Sequence, residues 1–471
     1  MNRIFLYTIL MVVVAFQYAC KRDLNALPSQ AKAEGNVVVD QKSAEVAMNG
    51  AYSRLANVIP AGTSTGFGNA HEVFPSLISG MMQYGLGRLP DSDNNIQPSS
   101  ALIIWSPNYG LLNAANGVIE GVTKLDNSKI AASRKIQMLA EARFLRAYAH
   151  FSLLCYFGEW FDLNSTYGVL LRKETLKLSN GAQARSTVKE SYEYILQDID
   201  FAIANAPDVS PNHYANKTVA KALKMRVLMQ HGQAADYLQV LTLANEILSN
   251  PNYELEASLQ GLMQNKGLTS KEVLLGIVPV DNQVNKRNKY QHVFSAVFIS
   301  TPQFRNLLKN DPRKDWMLQK ATNATSVSLR DSMYMSKFFG PKIEVSYVFR
   351  LTEVYLLKAE AMVRSGGNIE DAKAILKTVM SKSAVTDFSE VDQANTSAKV
   401  LIELYKEFSR NMSAEDGIDL FALLRLPFET VKVLRPTIIS RDQYIFPIPL
   451  AELELNPAFG LQNPGYRTNN F

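Results

Sequence analysis

The chain has 471 residues, of which 47% are hydrophobic and 20% are charged. This apolar content is enough for a packed core and excludes an intrinsically disordered chain. The 49 Lys and Arg residues exceed the 44 Asp and Glu residues by only five, and no basic block marks a nucleic-acid-binding surface. Two cysteines are too few for a disulfide framework or a cysteine-built zinc site.

The first 19 residues have the pattern of a secretory signal peptide. Arg3 gives a cationic start, residues 4–16 are apolar, and Ala19 places a small residue before Cys20. This pattern predicts that residues 1–19 are removed and that Cys20 becomes the acylated first residue of a bacterial lipoprotein, with residues 20–40 as anchor and tether. Gln17 stands where an aliphatic residue is usual, so ordinary cleavage after Ala19 is the alternative.

Helical periodicity dominates the rest of the chain. Apolar residues at three- and four-residue steps predict helices over the following ranges: 41–59, 108–125, 131–157 and 187–205. Two helix pairs follow, 217–231 with 234–249 and 348–365 with 369–382, each joined by a short glycine-bearing turn. A pair of antiparallel helices in about 34 residues is the arrangement of a tetratricopeptide repeat, and these pairs are predicted to be degenerate examples.

Two segments lack this periodicity. Residues 60–107 and 250–341 are rich in turn-forming residues and predict long loops, with a short strand at 272–280. The proline-interrupted stretch 444–449 predicts an edge strand. The predicted fold is therefore mostly α, one domain over residues 41–471, in which helix pairs form a scaffold that carries two loop-rich insertions with short strands. Loops on a rigid scaffold are the usual place for recognition.

The chain offers little catalytic or metal-binding chemistry. Residues 62–66 match the nucleophile-elbow pattern around Ser64, but the strand before and the helix after it are missing from the pattern. Residues 91–95 open like a calcium loop, yet Ile96 and Leu102 occupy the positions that need Gly and Glu. We therefore predict a protein that is not an enzyme and has no cofactor, with a calcium site of another geometry as the alternative.

Several segments together resemble the SusD/RagB family of outer-membrane nutrient-binding lipoproteins. They are residues 44–52 (AEVAMNGAY), 140–147 (AEARFLRA), 350–361 (RLTEVYLLKAEA) and 462–466 (QNPGY). Charged residues in these segments are interpreted as structural, with opposite charges satisfying each other across helical turns: Glu141, Arg146, Arg350, Glu353 and Glu360.

The resemblance implies a binding protein that is lipid-anchored on the outer face of a Gram-negative outer membrane. It would capture oligosaccharides and deliver them to a SusC-like, TonB-dependent transporter through its helical scaffold. The alternatives are a binder of the same architecture for peptides, glycopeptides or another nutrient, and a surface hydrolase.

The ligand-binding residues are predicted by region only, from the aromatic, amide and charged residues of the two insertions. An aromatic ring stacks on the apolar face of a sugar while neighbouring polar groups bind its hydroxyls. The candidates are Tyr84, Arg88, Asp91, Asn94, Asn95, Tyr290 and Trp316.

Overall fold

The computed structural model describes residues 38–56, 67–279, 286, 297–322, 324, 326–341 and 344–466. The predicted signal peptide, Cys20, Ser64 and Tyr290 lie outside these residues.

Helices make up most of the described chain. Their bounds are α1 Gln41–Leu55, α2 Phe74–Ser79, α3 Pro98–Lys124, α4 Ala132–Phe157, α5 Val188–Asn205, α6 Lys217–His231, α7 Ala234–Leu248, α8 Leu259–Gly261, α9 Pro302–Leu307, α10 Lys314–Met317, α11 Leu351–Arg364, α12 Ile369–Ser381, α13 Ser389–Gln393, α14 Ser397–Met412, α15 Ile418–Leu424, α16 Phe428–Leu434 and α17 Leu450–Leu455. The mostly α fold class is thereby confirmed.

Short strands form three separate antiparallel pairs. The strands are β1 Met82–Tyr84, β2 Val273–Ile277, β3 Phe298–Ser300, β4 Leu318–Lys320, β5 Met333–Met335 and β6 Ser346–Arg350. They pair as β1 with β3, β2 with β6 and β4 with β5. All of these strands except β1 come from the second predicted insertion or its boundary with α11.

The long helices pack in a continuous series. Helix α3 packs between α1 and α4, α4 packs on α5, and α5 packs on α6. Helix α6 packs on α7, α7 on α11, and α11 on both α12 and α14. The predicted pairs α6–α7 and α11–α12 are thus packed neighbours, and Gly232 ends α6 in the left-handed conformation at φ 71°. Their assignment to tetratricopeptide repeats stays a prediction.

One hydrophobic core runs through this series and includes most of α4, which is buried on nearly all sides from Ala140 onward. A small second cluster lies beside β3, β4 and β5, formed by Ile299, Ala321, Ala324, Leu329 and Tyr334. Among the described residues, no helix combines the length and apolar character that crossing a bilayer requires.

Two predicted boundaries were wrong. Helix α3 starts at Pro98, ten residues before the predicted start, because proline is well suited to a first helical turn and Pro107 is accommodated within the helix. Residues 348–350, predicted as helix, belong to β6, where Arg350 pairs with Val273 of β2. The first insertion therefore ends earlier than predicted, and the second is tied to the scaffold by β2 and β6.

The predicted edge strand at 444–449 is absent from the structure. Tyr444 ends a 3-10 turn, and the following residues are irregular. The N–H groups next to the prolines have isolated partners instead of a neighbouring strand. Phe446, before Pro447, donates to the Tyr156 carbonyl at 2.6 Å, and Ile448, between the two prolines, donates to the Gln462 side chain at 2.7 Å. Proline at every second position leaves too few donors for a ladder.

Candidate ligand-binding site

A cleft of about 490 Å³ opens between the first insertion and the start of α9. Its walls come from β1, from the turn after it, from the first residues of α9 and from Arg435, which follows α16. The polar groups among its lining residues are Gln83, Tyr84, Arg88, Ser92, Asp93, Thr301, Gln303 and Arg435. This is the size of a small-ligand site, with one aromatic ring and several donors and acceptors.

Strand pairing positions the aromatic residue. In the β1–β3 register, Tyr84 stands opposite Phe298, and their ring centroids lie 5.7 Å apart at an interplanar angle of 56°. Phe298 supports the Tyr84 ring from one side, while Tyr84 itself is only half-buried. The Tyr84 ring is thus held in place and keeps a surface open to the cleft.

Gly80 joins the first insertion to α9. It ends α2 with φ 83°, and its carbonyl accepts a hydrogen bond from Thr301 Oγ1 at 2.5 Å. Thr301 also caps α9, accepting from the Phe304 N–H at 3.1 Å. A β-carbon at position 80 would lie 2.8 Å from both the Arg435 guanidinium and the Gln303 side-chain oxygen. Glycine is therefore required here by conformation and by space.

Arg435 is held rigidly at the edge of the cleft. Its Nε donates to the Ile78 carbonyl at 3.1 Å, and one terminal nitrogen donates to the carbonyls of Leu77 and Ser92. Burial lowers the pKa of Arg435 below its ordinary value, and the nearby Asp93 carboxylate opposes this shift. Its hydrogen bonds go to backbone carbonyls, and the Asp93 carboxylate acts on the guanidinium through its charge, so the group stays positively charged beside the cleft.

Arg88 and Asp93 form an open ion pair. Arg88 Nε lies 2.6 Å from Asp93 Oδ2, and the two side chains are 85% and 35% exposed. A pair this open contributes little to stability, because water screens it. Both groups can exchange partners with a ligand that enters the cleft.

Asp91 and Asn94 lie beneath the cleft as supports of its turn. Asp91 is buried and accepts from the Gln97 N–H at 3.0 Å and from Ser100 Oγ at 3.1 Å. Asn94, also buried, has φ 59°, donates to the Ile78 carbonyl at 3.1 Å and accepts from Thr437 Oγ1 at 2.6 Å. The structure therefore gives these two predicted residues internal partners and places neither on the cleft wall.

Asn95 and Trp316 lie apart from the cleft lining. Asn95 is exposed, and its carbonyl accepts from the Gln97 side chain at 3.0 Å. Trp316, in α10, is half-buried against the core, and its carbonyl accepts from Ser336 Oγ at 2.6 Å. Tyr290 lies outside the described residues. The structure thus brings Tyr84 and Arg88 together and adds Gln83, Asp93, Gln303 and Arg435, which were not among the predicted ligand-binding residues.

The carboxylates of the calcium-loop-like segment have protein partners. Asp91 accepts the two hydrogen bonds described above, and Asp93 faces Arg88. Within the described part of the chain, no group of three or more His, Cys, Asp or Glu residues is arranged to hold a metal ion.

Two family models match the chain. One, described as "Starch-binding associating with outer membrane", matches residues 36–229, and the other, described as "SusD family", matches residues 281–426. A curated SusD-like protein of Bacteroides ovatus is 23% identical over 182 residues, which are 37% of this chain. The match spans 32% of the length of that relative.

Solved structures share the fold. A SusD superfamily protein from Bacteroides thetaiotaomicron superposes with a TM-score of 0.73 at 22% identity, covering 90% of this chain and all of that one. A putative sugar-binding protein from Bacteroides vulgatus gives 0.71 at 20% identity, covering 92% of this chain and all of that one. A laminarin-binding SusD-like protein gives 0.67 at 20% identity, covering 91% and 100%. The two family matches together cover more than two thirds of the chain and agree with this fold, so the chain belongs to the SusD/RagB family.

Proposed function

We propose that this protein captures oligosaccharides at the cell surface and delivers them to a SusC-like, TonB-dependent transporter of the outer membrane. The observation that carries the proposal is the cleft between β1 and α9, in which the supported ring of Tyr84 lies among Gln83, Arg88, Asp93, Gln303 and Arg435. The names of the sugar-binding and laminarin-binding relatives agree with this class of ligand.

The cleft suits a sugar chemically. The open side of the Tyr84 ring offers an apolar surface for the C–H face of a pyranose, which gains from burial against an aromatic ring. Sugar hydroxyls donate and accept, and the cleft offers both functions through amides, guanidinium groups and one carboxylate. Arg435 is already fixed by three carbonyls, so little side-chain entropy is lost when it binds a ligand.

Capture fits the cleft better than hydrolysis does. Glycoside hydrolysis ordinarily needs a pair of carboxyl groups across the scissile bond. Among the described residues that line the cleft, Asp93 is the one carboxylate, and it faces Arg88. We therefore propose a binding protein without catalytic activity and without a required cofactor. Calorimetric titrations of ligand in the presence of calcium and of EDTA test whether a metal cofactor is required.

Attachment through an acylated Cys20 is part of the proposal. Mass spectrometry of protein isolated from membranes would detect the acyl groups, and Cys20→Ser would release the chain from the membrane fraction. Partnership with the transporter is tested by co-purification of the two proteins from detergent-solubilised membranes. Recovery of the chain without any barrel protein would contradict the partnership.

Calorimetry with the soluble chain starting at Lys21 tests the cleft. Heat with one class of oligosaccharide, abolished by Tyr84→Ala and retained by the control Tyr355→Ala, is the expected result. Tyr355 is a half-buried tyrosine of α11 that does not line the cleft. Heat only with oligopeptides would favour the peptide alternative, in which an extended peptide pairs with the edge of β1.

A further inference from the structure

The segment between α4 and α5 projects two leucines into solvent. Leu176 is 58% exposed and Leu178 is fully exposed, on a turn that we call the leucine turn, residues 173–180. Single exposed leucines are ordinary on protein surfaces. The leucine turn is distinguished by how it is held and by what lies next to it.

Hydrogen bonds from α3 hold the leucine turn away from the core. Glu120 accepts from the Thr175 N–H at 2.6 Å and from its hydroxyl at 2.9 Å. Asn113 accepts from the Leu176 N–H at 2.8 Å. Asn180 closes the turn, donating to the Thr175 carbonyl at 2.9 Å. These hydrogen bonds thus hold the turn in a conformation that leaves both leucines exposed.

The beginning of the described chain reaches the same face of α3. Asn113, Gly117, Glu120 and Gly121 recur at helical spacing and share one side of this helix. A β-carbon on Gly121 would come within 2.7 Å of Val38 Cγ2, so the chain arrives directly over that glycine. One turn away, a β-carbon on Gly117 would lie 3.8 Å from Thr175 Cγ2 of the leucine turn.

This arrival point limits the distance to the proposed anchor. Val38 is 18 positions after Cys20. A chain of that length spans at most about 60 Å even when fully extended. Attachment at Cys20 therefore sets an upper limit on the distance between this face of α3 and the membrane, and allows the leucine turn to reach the lipid surface.

The charge around the leucine turn matches an acidic surface. Lys173 and Lys177 flank the leucines, and Lys124 continues the same face of α3; all three are exposed. Glu174 is the acidic residue in the turn itself. Leucines beside lysines are typical of segments that enter a lipid interface, where apolar burial and attraction to anionic headgroups add together.

We propose that the leucine turn is a second membrane contact, in which Leu176 and Leu178 enter the lipid surface and the neighbouring lysines meet acidic headgroups. The inference rests on the proposed attachment at Cys20. A second contact adds to the attachment through the acyl groups of Cys20. It also fixes which side of the protein faces the membrane.

Fluorescence quenching tests the contact directly. The chain starting at Cys20 is coupled through that thiol to a maleimide lipid in vesicles that contain phosphatidylglycerol with brominated acyl chains. Cys155 is buried and does not compete for the coupling. We expect the emission of Leu178→Trp to be quenched and that of Leu238→Trp to be unchanged. Leu238 is the matched control, a leucine of α7 that is 59% exposed.

A partition measurement provides the second readout. In the uncoupled chain starting at Lys21, the double variant Leu176→Ser/Leu178→Ser should bind phosphatidylglycerol vesicles without maleimide lipid about tenfold more weakly than the parent chain, since two leucines no longer enter the interface. Leu238→Ser should bind like the parent. Equal partition of the three proteins, or no quenching at position 178, overturns the proposal.

Chemical coupling separates this test from the proposed function. The coupled chain is tethered whether or not cells acylate Cys20, and oligosaccharide titration of the same vesicles reports on the cleft independently. If position 178 is not quenched and the double variant loses co-purification with the transporter, the leucine turn contacts protein and the lipid proposal is wrong.

Discussion

Ion pairs of the same length lie in different surroundings in two regions of the molecule. One region is a group of charges around Arg350, and the other is along the cleft. Arg350 Nε lies 2.6 Å from Glu415 Oε2, and Arg350 is completely buried. Arg88 Nε lies 2.6 Å from Asp93 Oδ2, with the arginine side chain 85% exposed. Distance alone therefore does not tell what a charge contributes.

The buried group is fully connected. Arg350 also binds Glu272 at 2.6 Å and the Asn411 side chain at 2.9 Å. Lys337 donates to Glu415 and to the Asn411 carbonyl, so one carboxylate serves two cations. Burial lowers the pKa of Lys337 to about 8 although Glu415 opposes the shift. Such a network positions β6, β2 and the end of α14, whereas the cleft pair leaves its charges available to a ligand.

The largest expected effect comes from breaking the buried group. Arg350→Met leaves Glu272 and Glu415 without their guanidinium partner inside the protein. The free energy of unfolding should fall by about 3–5 kcal/mol, because unpaired buried charges are strongly destabilising. Urea denaturation followed by circular dichroism measures it. A loss below about 1 kcal/mol would mean that water reaches the site and screens these carboxylates.

Asp419 should produce a pH-dependent effect near the same cluster. It is fully buried, accepts from Ser79 Oγ at 2.7 Å, and burial raises its pKa to about 6. The folded state therefore holds this proton more tightly than the unfolded state. The stability it contributes is present below about pH 4 and is lost as pH rises to about 6, by about 3 kcal/mol. Asp419→Asn should therefore gain stability relative to the parent as pH rises from 4 to 7.

The neighbouring Asp416 is the control of opposite sign. Burial raises its pKa, but hydrogen bonds and charges from His71 and Arg226 outweigh burial, and the net shift is downward. The stability that Asp416 contributes is lost as pH falls below about 4, so Asp416→Asn should lose stability relative to the parent as pH rises from about 2.5 to 4.5. Denaturation midpoints of both variants at about pH 2.5, 4.5 and 7 test the two pH windows separately, the lower one for Asp416 and the upper one for Asp419. If the stability of both variants, relative to the parent, changed with pH in the same direction, the opposite pKa shifts of Asp416 and Asp419 would be contradicted.

A smaller effect is expected beneath the cleft. Asn94→Ala removes the hydrogen bonds to the Ile78 carbonyl and the Thr437 hydroxyl from a buried site. We expect a loss of about 2 kcal/mol, since buried polar partners are left unsatisfied. The exposed neighbour Asn95 serves as control, and Asn95→Ala should unfold like the parent. Equal stability of the two variants would show that Asn94 does not hold the turn.

The helices could be predicted because their signals are local. The sequence predicts a helix over 187–205, and the structure has Val188–Asn205 with Thr187 and Glu190 forming a capping box. The charged residues interpreted as structural are buried with protein partners, as a structural role requires, but most of them do not pair across a helical turn as predicted. Glu360 does pair with Arg364 one turn away, at 2.8 Å, but Glu353 pairs with Arg226 and Arg350 with Glu272 and Glu415. Most of these buried charges have partners on other elements. The spacing of residues along one helix does not predict such pairs.

The cleft was predictable by region and only partly by residue. Tyr84 and Arg88 belong to the insertion that the sequence marked out, and they line the cleft. Gln303 and Arg435 come from segments more than 200 positions later, so nothing in the first insertion points to them. Asp91 has the same residue type as Asp93, yet Ser100 and Gln97 turn it inward. Which carboxylate faces the cleft depends on tertiary contacts.

The smallest effect on stability should accompany a clear effect on binding. Arg88→Met breaks an ion pair that water already screens, so the free energy of unfolding should change by less than about 1 kcal/mol. If the cleft binds the ligand, the same change removes the N–H donors of the Arg88 guanidinium from the cleft wall. The affinity for oligosaccharide should then fall by about tenfold. Calorimetry and urea denaturation of one preparation measure both quantities. Unchanged affinity would place the ligand away from Arg88, whereas a large loss of stability would mean that the open pair supports the turn as Asn94 does.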